Sequence, residues 1–167
     1  MRTKLIFRYV FMALSLALMI YIFVMSGQTA NVSSQSSGRI IKTIAKIVVE
    51  DFESKPIDYQ LYFISSLQFF VRKAAHFVLY FSLGFSVCGC TLTFDNKTKR
   101  FNCLVAFAIS LAYAISDEIH QLFIEGRSGQ ISDVLLDASG ILCGILLINL
   151  VFFIAHKISV RRKSDEQ

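Results

Sequence analysis

Four stretches of this chain are almost continuously apolar, and the polar residues between them mark where each begins and ends. The first runs over 5–25 with only Arg8 and Ser15 as interruptions, the second over about 69–94, the third from 101, and the fourth over 131–155. A helix needs about 20 apolar residues to cross a bilayer, so the pattern predicts four spans. The third is anomalous. Its apolar run ends at Ile115 and covers only 103–115, short of the minimum of about 17 residues. To cross, it must extend to about 124 and take Asp117, Glu118, His120 and Gln121 into or near the membrane, where ionisable side chains are costly and default functional suspects.

The connections carry their own signals. Residues 26–37 are polar, serine-rich and without periodicity, which predicts a loop with several helix caps. Ile40, Ile44, Ile47 and Val48 then recur at helical spacing, with Lys42, Lys46 and Glu50 elsewhere, predicting an amphipathic helix at the interface or over the bundle mouth. Pro56 ends it or starts another. Tyr59, Leu61, Tyr62 and Phe63 suit an interfacial segment, so 26–68 is expected as one outer loop holding that helix. Residues 95–100 form a short basic turn, and 125–130 a turn at the opposite end.

Composition agrees: 54% of the 167 residues are hydrophobic and 17% charged, against about 25% charged in soluble domains. The chain is therefore expected as a single all-α domain, an integral membrane bundle of four transmembrane helices. The net charge of +5 matters less than its placement. The amino terminus, the Lys97–Arg100 turn and the carboxyl-terminal Lys157, Arg161, Arg162 and Lys163 are basic, and four spans bring all three to one side. By the positive-inside rule that side is cytoplasmic, although Arg39, Lys42, Lys46, Arg72 and Lys73 weaken the contrast. A cleaved signal peptide is disfavoured, because the first apolar run exceeds the usual h-region and no small-x-small site follows. Nucleic acid is a poor partner for such a chain. Cys88, Cys90, Cys103 and Cys143 lie in apolar surroundings and form neither a disulfide framework nor a zinc motif.

The polar residues inside the spans converge. Arg72, His76 and Tyr80 stack at i, i+4 and i+8 on the second span, Asp117, His120 and Gln121 share a face at the end of the third with Glu118 about 100° away, and Asp133 and Asp137 are four apart on the fourth. All three sets fall at the outer ends of their helices. Lys73 and Arg127 add cations, the latter in a tight turn between Gly126 and Gly129 that suits a phosphate or carboxylate. Gly140 and Gly144, with Gly84 and Gly89 on the second span, read as close-packing positions. His76, His120, Asp117 and Asp133 are chemically fit for zinc or manganese. No His-Glu-x-x-His, nucleophile elbow or phosphate-binding glycine loop accompanies them, so no metal and no cofactor is assigned.

Several pieces together resemble the VanZ-like family of small bacterial membrane proteins: Met25-Ser26-Gly27-Gln28 with the serines after it, Arg72-Lys73-Ala74-Ala75-His76-Phe77 with Tyr80, Asp117-Glu118-Ile119-His120-Gln121-Leu122-Phe123 with Gly126-Arg127, and Asp133, Asp137, Gly140 and Gly144. The resemblance covers nearly the whole chain. Family members often have glutamate before that tyrosine, where this chain has Leu79, and an asparagine often found near Asp137 is absent. The resemblance implies a four-helix protein of the bacterial cell membrane, and some members lower susceptibility to teicoplanin and related lipoglycopeptides.

Three functions remain open on these residues. The first is a non-enzymatic pocket formed by Arg72, Lys73, His76, Tyr80, Asp117, Glu118, His120, Gln121, Arg127, Asp133 and Asp137, holding an anionic envelope lipid or lipid-linked cell-wall precursor. The second is an intramembrane hydrolase or transferase using Asp117 or Glu118 with His120 for acid/base chemistry. The third is a structural partner in a membrane complex. Oligomeric state is left open.

Overall fold

Leucine, isoleucine, phenylalanine and methionine dominate the first apolar stretch, and with no proline or glycine to break it the chain forms one unbroken helix, α1 (Arg2–Ser26). The computed structural model describes residues 2–94 and 98–165. After α1 come α2 (Ala30–Val48), a 3-10 turn (Phe52–Ser54), α3 (Ile57–Thr91), α4 (Lys99–Gln121) and α5 (Ile131–Asp165). The described residues contain no strand. α1, α3, α4 and the 131–155 part of α5 are long and apolar enough to cross a membrane. Asp95, Asn96 and Lys97 of the expected basic turn lie outside the described residues.

Two ends of the bundle are tied by different chemistry. At one, Arg8 donates from Nε to Thr93 Oγ1 at 3.1 Å and lies over the Phe94 ring at 4.0 Å. Thr98 caps α4 by accepting from the Phe101 amide, and Asn149 reaches Cys103 Sγ at 3.3 Å. At the other, Ser26 donates to Asp117 at 2.8 Å and the Ala30 amide to the Glu125 carbonyl at 3.2 Å. The amino terminus and the start of α4 thus share one end, and the polar residues of the third span share the other.

α3 and α5 form the central pair. A Cβ on Gly84 would come within 2.5 Å of the Ile141 carbonyl, and one on Gly140 within 2.6 Å of the Phe77 carbonyl. Gly144 sits equally hard against Phe81. These glycines let two backbones touch, the use their spacing predicted. Tyr80, Leu83, Val87, Ile141, Ile145 and Ile148 fill the core, closed by Ile22 from α1 and Ala106 and Ala114 from α4.

Two expectations change. The stretch 26–37 is not a loop throughout, since helix α2 begins at Ala30. Ser37 and Gly38 act there as small packing residues: Ser37 is buried and donates to the Ser33 carbonyl, while Gly38 lies against Ile64 and Gln68 of α3. The side of α2 turned to the molecule is Ser37, Ile41 and Ala45, and the Ile40, Ile44, Ile47 and Val48 stripe is exposed. The second change is that 57–68 is continuous with the second span. α3 has 35 residues, about 52 Å at 1.5 Å each, so it outruns a hydrocarbon core of about 30 Å. Its first turns pair with α2 as a hairpin, plugged by buried Phe52 against Phe63 at 5.5 Å.

Candidate functional site

The expected depth agreement among three helices becomes a cavity of about 200 Å³ between the middle of α3, the end of α4 and the start of α5. α3 contributes Phe69, Arg72, Lys73 and His76, α4 contributes Gln121, α5 contributes Asp133, and the turn between α4 and α5 supplies Gly126, Arg127, Ser128 and Gln130. Its charge is unequal. Lys73 is in direct ion-pair contact with Asp133, but Arg72 and Arg127 have no carboxylate partner among the described residues.

Arg127 is held by neutral oxygens. Its Nε donates to the Gln28 carbonyl at 2.9 Å, one terminal nitrogen to the Met25 carbonyl and the other to Gln121 Oε1, both at 3.3 Å. Three of five guanidinium donors are used, and two remain. Gly126 makes the turn possible: its φ of 72° is left-handed, a conformation costly for a residue with a Cβ. Burial, and after it the Arg72 guanidinium, pull Arg127 below the ordinary arginine pKa.

Beneath this basic mouth lies an acidic floor. Asp117, Glu118 and Asp137 are 3%, 5% and 0% exposed. Asp117 accepts from Ser26 at 2.8 Å and Gln121 at 3.2 Å, and Glu118 accepts from the Gln130 amide at 3.0 Å. Asp137 has no hydrogen-bond partner among the described residues, and the imidazole Nδ1 of His76 lies 3.6 Å from its Oδ1. His76 Nδ1, a Glu118 oxygen and an Asp137 oxygen all lie within 4.8 Å of one another. The buried hydroxyl of Tyr80 also has no hydrogen-bond partner among the described residues, with Asp117 and Asp137 within electrostatic reach.

Arg72, Lys73, His76, Gln121, Arg127 and Asp133 therefore border the cavity, and Tyr80, Asp117, Glu118 and Asp137 form the layer beneath. His120 joins neither. It turns to α1 and stacks on Phe23, ring centroids 4.6 Å apart. Glu118, expected about 100° off the shared face, points inward. The missed signal was Ala106, Ser110 and Ala114, a stripe of small residues four apart that leads to Asp117, Glu118 and Gln121 and marks the buried side of α4.

The model of the family described as VanZ/LLP1 matches residues 11–153. This chain belongs to the VanZ/LLP1 family. The match takes in every residue of the mouth and the floor, so both lie within the family domain. No curated protein and no solved structure matches. In this VanZ/LLP1 chain Leu79 lines a smaller cavity of about 80 Å³ that it shares with His76, Tyr80 and Arg127. The position where the resemblance leads one to expect a glutamate thus leaves Arg127 beside a hydrocarbon side chain.

Proposed function

We propose that this VanZ/LLP1 protein binds the phosphate-bearing headgroup of an anionic envelope lipid, or of a lipid-linked cell-wall precursor, in the mouth formed by Arg72, Lys73 and Arg127. The carrying observation is that two arginines line one open cavity and neither is in ion-pair contact with a carboxylate among the described residues. Positive charge assembled at that expense, with Leu79 giving no compensation, calls for an anion from outside the chain. The positive-inside rule sets both termini in the cytoplasm and the mouth in the outer leaflet of the cytoplasmic membrane, within lateral reach of such a lipid. The exposed stripe of α2 then rests in the interface. Occupying the headgroup where glycopeptides engage the envelope changes susceptibility to teicoplanin and related compounds.

The test is titration of the full chain in phosphatidylcholine nanodiscs with phosphatidylglycerol and, separately, with a pyrophosphate-linked precursor. Binding of either, weakened at least about tenfold by Arg127→Ala and by Arg72→Ala, supports the reading. Equal retention by both variants overturns it. The buried carboxylates beneath the mouth, with His76 at its border, favour one second reading, hydrolysis or transfer at the bound headgroup by Asp117 or Glu118. Conversion of the precursor during the same titration decides between them.

A further inference from the structure

The floor of the site holds more carboxyl groups than the described residues pair with cations. Three carboxyl groups, Asp117, Glu118 and Asp137, are almost wholly buried, and Lys73 is engaged by Asp133 at the rim. Asp137 is the extreme case: it is 0% exposed, and both of its oxygens lack a hydrogen-bond partner among the described residues. A carboxylate buried without compensation costs several kcal/mol, and nearly all buried polar groups avoid that state. His76 Nδ1 is likewise buried and without a hydrogen bond.

The spacing of these atoms is informative. His76 Nδ1 and Asp137 Oδ1 are 3.6 Å apart, too long for a charge-assisted hydrogen bond of about 2.7 to 2.9 Å. Two ligands each about 2.1 Å from one tetrahedral ion stand about 3.4 Å from each other. The pair is therefore set at the edge length of a coordination polyhedron. Glu118 brings a third ligand atom, all three lying within 4.8 Å, and rotation about its side-chain torsions closes the remainder. The Gln130 amide donates to one Glu118 oxygen at 3.0 Å and Gln121 Nε2 to the other at 3.4 Å, as outer hydrogen bonds orient metal ligands.

We infer that His76, Glu118 and Asp137, one from each of α3, α4 and α5, bind a divalent cation of the zinc or manganese kind. One imidazole and two carboxylates suit either ion, and three protein ligands leave a coordination position open. The ion neutralises the acidic floor and joins the three helices at one point. His76 borders the basic mouth as well, so the open position adjoins the phosphate proposed above. Only that last placement rests on the headgroup reading. The ligand set differs from His76, His120, Asp117 and Asp133, the set whose chemistry suited a metal in the sequence without one being assigned.

The experiment uses full-length protein in phosphatidylcholine nanodiscs, stripped with chelator, exposed to Zn2+ or Mn2+ alone and separated from free ion before elemental analysis. One ion per chain is expected. Asp137→Asn and Glu118→Gln are each expected to weaken uptake at least about 100-fold, while Asp58→Asn, exposed in the first turn of α3, leaves it unchanged. Thermal unfolding of each stripped variant shows that it is folded, and the wild-type midpoint is expected to rise with added ion where the Asp137→Asn midpoint does not. No uptake by the wild type, or equal uptake by wild type and Asp137→Asn, overturns the inference. Retention of phosphatidylglycerol by stripped protein in that case leaves the headgroup reading standing, and ion uptake without any lipid retention removes that reading alone.

Discussion

Arg127 shows how a single position sets the character of this site. Its guanidinium is held by two carbonyls and an amide oxygen, none of which carries charge. Its neighbour in the smaller cavity is Leu79. Leu79→Glu is therefore expected to place a carboxylate beside Arg127 and compete with the external anion, lowering phosphatidylglycerol retention about tenfold in a nanodisc titration. Unchanged retention would mean that Arg127 does not supply the anion's contacts. At this scale the sequence was legible in part. Arg72, His76 and Asp133 line the cavity, and the four-residue spacings put Arg72 with His76 and Asp133 with Asp137, because helical period alone decides which residues share a face. It does not decide which face turns inward. His120 and Glu118 exchanged roles for that reason, and only the small residues Ala106, Ser110 and Ala114 carried the missing information.

At the scale of the helix, close approach of α3 to α5 determines whether the floor exists. His76 and Asp137 come from these two helices, and Gly84, Gly140 and Gly144 allow their backbones to touch. Gly84→Leu is expected to force them apart at Ile141 and to destabilise the fold by roughly 1 to 3 kcal/mol. The measurement is a lowered unfolding midpoint in detergent, with exposed Leu146→Ala as the comparison that leaves it nearly unchanged. The helices themselves were legible as long apolar runs. The start of α2 and the length of α3 were not, because serine and glycine read as loop signals in isolation. Here Ser37 and Gly38 are contact residues for a neighbouring helix, and tertiary packing overrides their weak propensity.

For the whole molecule, the question is how its two chemically distinct ends relate to the membrane. Arg8, Thr93 and the start of α4 lie at one end, and the cavity at the other. With the four native cysteines replaced, a cysteine at exposed Gln35 in α2 is expected to react with an impermeant maleimide on intact cells, and one at exposed Lys99 only after lysis. The opposite pattern would put the mouth on the cytoplasmic side and remove the link to glycopeptide susceptibility. Four spans were plain from hydropathy. The basic mouth over an acidic floor was not, since it arises only where the middle of α3, the end of α4 and the start of α5 meet the turn that carries Arg127. The most direct test of the central claim is mass spectrometry of the lipid that stays with the protein when it is extracted in its native membrane. A phosphate-bearing anionic lipid enriched with the wild type and lost from Arg72→Ala and Arg127→Ala is the predicted result. The same lipids, in the proportions of the surrounding membrane, with all three proteins would contradict it.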